Sequence, residues 1–200
     1  SADIIVLAVK PQVLQLVCEQ LAHCSIKSEC LFISIAAGVR ESNINRWLGG
    51  NRSIVRCMPN TPALVQLGAT GIFANTLVSS KQKDTAQTIL DAVGLSVWVE
   101  KEDHLDAVTA ISGSGPAYFF YFIELLQKSA EKLGLPPETA KVLAQQTVLG
   151  AASMAQGKDM AELRAQVTSK NGTTEQAILS FQENNLASLV DNATQAAHDR

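Results

Sequence analysis

Two regimes of hydrophobic patterning divide the chain. As far as about Lys101, short apolar runs alternate with amphipathic stretches. The run Asp3-Ile-Ile-Val-Leu-Ala-Val9 lacks strict apolar–polar alternation and ends at Lys10-Pro11, which predicts a strand buried on both faces of a parallel sheet. Pro11 suits a first helical position, and Val13, Leu14, Val17 and Leu21 mark one helical face behind it. Cys30–Ile35 predicts a second strand and Ala36-Ala37-Gly38 a turn. Glu41–Leu48 predicts a short helix stopped by Gly49-Gly50. Ser53–Cys57, Gly68–Ala74 and Leu95–Val99 predict further strands, with a helix from Ser80 to Val93 before the last. Strands separated by helices imply right-handed crossovers and a parallel sheet.

Beyond Lys101 the strand pattern disappears. His104–Ile111, Pro116–Leu133, Pro137–Gln156, Met160–Val167 and the segment from Thr174 onward all read as helices. Tyr118, Phe119, Phe122, Ile123 and Leu126 form a wide apolar face, and Phe120 and Tyr121 extend it round much of the helix. Such a helix is usually buried on several sides. Ala140, Ala144, Gly150, Ala151 and Ala152 are small enough for close helix approach. The expected fold class is α/β followed by all-α, with residues 1–102 forming the first domain and 103–200 the second.

Composition narrows the function classes. The 200 residues are 46% hydrophobic and 18% charged, which suits a packed core and excludes a disordered chain. The net charge of −3, with no basic run, argues against nucleic acid as a partner. No apolar run approaches the roughly 20 residues of a membrane span, and Ser1–Val9 lacks the layout of a signal peptide. Cys18, Cys24, Cys30 and Cys57 form no C-x-x-C pair, and His23, His104 and His198 lack zinc-ligand spacing. No metal is expected. The cysteines read as small apolar residues in a reducing cytoplasm.

Four motifs carry the chemistry. They are Ala8-Val-Lys-Pro11, Met58-Pro-Asn-Thr-Pro-Ala63, Ser112-Gly-Ser-Gly-Pro-Ala-Tyr118 and Val167-Thr-Ser-Lys-Asn-Gly-Thr-Thr174. Each alone is weak. The first is a strand end with a helix-starting proline, the second a rigid loop, the third a flexible linker entering a helix. The fourth is a polar turn leading into an apolar helix. Backbone N–H groups at such a turn and the helix dipole both favour an anion, and a carboxylate would fit. A plain N-cap by Thr173 or Thr174 fits equally well.

In this order and spacing, the four motifs resemble the pyrroline-5-carboxylate reductase family, and the resemblance runs almost from end to end. It implies a Rossmann-type domain followed by a helical domain that interleaves with a second subunit, hence a homodimer or higher homo-oligomer. It implies hydride transfer from NADPH or NADH to the C=N carbon of 1-pyrroline-5-carboxylate, giving L-proline. By the same resemblance Ala8, Val9, Lys10, Pro11 and Ala37 would line the dinucleotide. Asn60 and Thr61 would lie in the loop on the nicotinamide side. Ser169, Gly172, Thr173 and Thr174 would hold the substrate, with the Thr174 hydroxyl meeting the imine nitrogen.

Two departures from the family pattern stand out. Lys170-Asn171 replaces the usual Pro-Gly, and Asn tolerates a positive φ better than most residues. The family also opens with a strand, a G-x-G-x-x-G turn and a helix, which no residues before Asp3 supply. The expectation is that roughly 60–70 residues are missing, that the chain begins at the fourth strand of an incomplete Rossmann-type sheet, and that Asp3–Val9 has an unpaired edge. Imine reduction asks little of side chains, so the substrate is expected as an iminium or as taking its proton from water. Glu124 and Glu175 read more simply as solvated or capping carboxylates. A dehydrogenase for hydroxy acids would need a helical-domain Lys in a polar pocket, and Lys128, Lys132 and Lys141 lie on polar faces instead. A non-catalytic paralogue that dimerises without binding dinucleotide is the remaining alternative.

Overall fold

The computed structural model describes residues 2–200. Contacts divide it into two compact units, residues 2–116 with Ala197–Arg200, and Ala117–Ala196.

The first unit is a five-stranded sheet with helices. Its strands are β1 (Ile4–Leu7), β2 (Leu31–Ser34), β3 (Ser53–Met58), β4 (Gly68–Ala74) and β5 (Gly94–Trp98), and they lie side by side in that order. α1 (Pro11–Ala22) links β1 to β2 and α2 (Glu41–Trp47) links β2 to β3, each starting close behind its strand. These two pairings are parallel, as is β4 with β5 across α3 (Ser80–Asp91). β3 and β4 are antiparallel. The stretch between Met58 and Gly68 holds only a 3₁₀ turn, Thr61–Val65, and Gln66 at φ +60. A parallel return needs a crossover of about a dozen residues or more, so here the chain doubles back.

Alternate side chains of the central strands enter two cores. Phe32 and Ile54 pack with Leu14 and Cys18 of α1 and with Ile44 of α2. Leu31, Ile33, Val55 and Cys57 pack on the opposite face with Ile72 and with Ala86 and Leu90 of α3. Every residue of β2 is therefore buried. β1 is the exception to the expected two-sided burial. It lies at the sheet edge, and Val6 is 50% exposed. On α1 the buried pair is Leu14 and Cys18, one turn apart, with Val17 and Leu21 beside them. Val13, expected on that face, points to solvent. Three cysteines are buried as expected, and Cys24 is exposed. A capping box starts α3, in which Ser79 Oγ accepts from the Gln82 N–H and Gln82 Oε1 from the Ser79 N–H.

After β5 come α4 (His104–Val108), a π-helical turn (Thr109–Gly113) and α5 (Gly115–Lys132). The expected flexible linker at Ser112–Pro116 is thus helical, wound one residue wider. The Ser114 N–H reaches Thr109 O across five residues at 2.8 Å. The hydroxyls of Thr109 and Ser112 donate back to Leu105 O and Val108 O, a habit that bends helices.

The second unit comprises most of α5 with α6 (Pro137–Ala155), α7 (Met160–Gln166), α8 (Thr173–Glu183) and most of α9 (Leu186–His198). Only Ala140 and Ala144 are buried within it among the described residues. Phe119, Phe120 (66%), Tyr121, Leu149, Leu189 and Val190 are all more than half exposed. An apolar surface of this extent marks an association face. No helix among the described residues is long and apolar enough to cross a membrane.

Candidate active site

The parallel strands β1, β2 and β3 end on the same side of the sheet. Directly behind those ends come Ala8–Pro11, Ala36–Ala37 and Asn60–Thr61. The fold therefore gathers all seven positions expected to meet a dinucleotide onto one edge, the edge where open α/β sheets bind ligands. Ala8, Lys10, Pro11, Ala37 and Thr61 are exposed, whereas Val9 and Asn60 are half-buried. A Cβ built on Gly38, next to Ala37, would meet nothing within 4 Å. Small exposed side chains, open space and one cation suit a phosphate-bearing ligand.

Asn60 itself turns inward. Its Nδ2 donates to Ser112 O at 2.9 Å, and its Oδ1 accepts from the Ala69 N–H at 2.8 Å. The second and third motifs, distant in sequence, thus meet at the end of β3. Their packing is close. A Cβ on Gly113 would lie 2.7 Å from Met58 Cε, and one on Gly71 equally near both Val108 methyls.

Beside this edge lies a charged lattice that the motifs did not announce. Arg56 on β3 is 5% exposed and meets Glu102 Oε1 at 2.6 Å. The same oxygen accepts the Glu41 N–H at the start of α2. Arg40 reaches Asp103 and, at 3.3 Å, Asp106. The bond to Asp103 holds the Arg40 guanidinium above its already high pKa. The lattice joins β3, α2 and the segment after β5. A lone Arg amid an apolar strand was the available signal, because a buried cation needs a partner.

The fourth motif folds as a turn entering α8 in the helical unit. Gly172 N–H bonds to Ser169 O at 3.0 Å, with Asn171 at φ +59. Asn thus takes the third-position role that a type II turn usually assigns to Gly, and the departure from Pro-Gly leaves the turn intact. Gly172 sits at φ −85, so its constraint is space: a Cβ would come 2.4 Å from Ser169 Oγ. Gly172 is also the N-cap, so neither Thr173 nor Thr174 caps the helix. Glu175 Oε2 instead accepts the Asn171 N–H at 2.6 Å, the capping role expected of it. Glu124 pairs with Lys128 on the surface of α5. Ser169, Thr173 and Thr174 are exposed, and the leading N–H groups of α8 fall outside its own ladder.

A model of the pyrroline-5-carboxylate reductase dimerisation domain matches residues 102–200. A pyrroline-5-carboxylate reductase of Pseudomonas aeruginosa is 52% identical over 202 residues, covering all of this chain and 74% of that protein. The chain belongs to the pyrroline-5-carboxylate reductase family. Solved structures of the family agree. A Coxiella burnetii reductase superposes with a TM-score of 0.95 at 50% identity, over 100% of this chain and 75% of its own. The Plasmodium falciparum reductase, determined with NADP bound, gives 0.85 at 35% identity, over 99% and 75%.

Proposed function

We propose that this chain acts as a pyrroline-5-carboxylate reductase, reducing 1-pyrroline-5-carboxylate to L-proline at the expense of NADPH or NADH. The observation that carries the reading is 52% identity to a named reductase along the entire chain. It acts as a homo-oligomer joined through its helical half, the part matched by the dimerisation model. The exposed aromatic surface of α5 supports this. The cytoplasm is the expected compartment.

When bound, the reduced nicotinamide supplies the hydride. Ala8, Val9, Lys10 and Pro11, with Ala37, line its binding edge, and the loop of Asn60 and Thr61 closes the far end. The backbone donors between Ser169 and Thr174 hold the substrate carboxylate against the positive end of α8. Glu175 keeps the Asn171 donor occupied, which leaves the N–H groups of the first helical turn for that task. The Thr174 hydroxyl orients the ring nitrogen, whose charge falls as the carbon is reduced, so its contribution differs between ground and transition states.

Steady-state kinetics test the assignment. Thr174→Ala should lower kcat about tenfold, the worth of one hydrogen bond to a partly charged group, with KM little changed. Gly172→Val should raise KM for the imine, because its side chain would run into Ser169. An unchanged kcat in Thr174→Ala removes Thr174 from the chemistry.

A further inference from the structure

We infer that Asn60 is a positioning residue for the reduction, its amide locking the π-helical turn Thr109–Gly113 onto the carboxyl end of β3 rather than touching the dinucleotide. This rests on the reading that the dinucleotide binds along that edge.

The orientation of the amide follows from its partners. The Ala69 N–H can only donate and Ser112 O can only accept, so Oδ1 must face the first and Nδ2 the second. The reason Ser112 O needs an outside donor lies four residues on. In a continuous α-helix that carbonyl would receive the N–H of residue 116, and residue 116 is proline. Proline has no N–H. The side chain of Asn60 therefore supplies the donor that Pro116 lacks, and the Met-Pro-Asn-Thr-Pro and Ser-Gly-Ser-Gly-Pro motifs are two halves of one joint.

The joint is tight and departs from the regular α-helical ladder. Gly113 abuts Met58, and Gly71 abuts Val108. Within the turn, however, regular α-helical bonds give way to the Thr109–Ser114 span and to hydroxyl back-bonding. π-Turns of this kind recur at functional sites. Asn60 joins this turn to the loop whose next residue, Thr61, is exposed on the cofactor edge. A small displacement of a wall beside reacting atoms costs up to about a hundredfold in rate without a matching loss of binding.

The test uses catalytically active protein carrying Asn60→Asp, which retains an acceptor for Ala69 but sets a carboxylate oxygen against Ser112 O. We expect kcat to fall about 10- to 100-fold, while the NADPH Kd, read by nicotinamide fluorescence, stays within about twofold. Without nucleotide, amide exchange over residues 109–115 should quicken about tenfold, the loss of one bond. Pro116→Ala returns a backbone donor to Ser112 O, so in that background Asn60→Ala should quicken exchange far less than it does alone. This comparison holds even if Asn60→Asp folds poorly. A tenfold rise in NADPH Kd with unchanged exchange would make Asn60 a dinucleotide contact and overturn the inference, as would an unchanged kcat. Ala37→Glu separates the two layers. If a carboxylate there leaves the NADPH Kd unaltered, the cofactor edge itself is misplaced and the inference falls with it. If it weakens NADPH while Asn60→Asp keeps kcat, the inference alone falls.

Discussion

Removing the Glu102 carboxylate should strongly destabilise the α/β half. Arg56 is 95% covered on a central strand and Glu102 is 20% exposed, so Glu102→Ala leaves a guanidinium stranded in the protein interior. Breaking one partner of a buried pair costs about 3–5 kcal/mol. The lost acceptor for the Glu41 N–H adds about 1 kcal/mol. Against a total of about 5–15 kcal/mol, that is a large fraction. For a chain of this size, 3–5 kcal/mol lowers Tm by about 6–20 °C. Both tryptophans, Trp47 and Trp98, lie in the α/β unit, so urea denaturation followed by tryptophan fluorescence reads the affected half. The double variant Arg56→Met/Glu102→Leu removes both charges and should recover to within about 1–2 kcal/mol of the parent, because an apolar pair carries no desolvation cost. A loss below about 1.5 kcal/mol in Glu102→Ala would refute the reasoning. So would a double variant no more stable than the single one.

Gly94→Ala should prevent or severely weaken folding. Gly94 sits at φ +150 and an added Cβ would lie 2.1 Å from Gly68 O, a backbone atom that the β4–β5 pairing holds in place; expression in the soluble fraction and far-UV circular dichroism would show it. Burial pushes the Cys57 thiol up to about 12 and that of Cys18 up to about 11. The folded state therefore keeps these protons where the unfolded chain has lost them, and stability should be level below about pH 8.5 and fall above it by about 1.4 kcal/mol per pH unit per thiol; urea midpoints between pH 8 and 11 should flatten in Cys57→Ser. Glu175→Gln keeps an acceptor for the Asn171 N–H but removes a negative charge beside the proposed carboxylate site, so KM for the imine should fall severalfold with kcat unchanged; a higher KM would place the carboxylate elsewhere. Sedimentation should show a dimer or larger species at micromolar concentration, and a stable folded monomer would contradict the association face on α5.

Local patterning determined most of the elements. The strands were legible as apolar runs: β2 and β3, covered on both faces, show no alternation, whereas β1 and β5 are partly exposed. α2 ended at its Gly pair, with Gly49 at φ +86. The polar turn at Ser169–Thr174 was legible because turn residues act over a few bonds. The order and spacing of the four motifs carried the family resemblance. What only the tertiary structure decided depends on pairs of residues far apart along the chain. The antiparallel return of β4 follows from a connection too short for a crossover, and Val13 faces solvent because the exact rotation of α1 is set by the core it meets. The supposed linker at Ser112–Pro116 is the end of a π-turn running into α5, and its Ser112 carbonyl takes a donor from Asn60, far away along the chain. Arg56 is tolerable within β3 only because Glu102 arrives there from beyond β5. Such partnerships leave no periodic trace: a hydrogen bond or ion pair constrains two positions and the distance between them in space, whereas a sequence displays only their separation along the backbone.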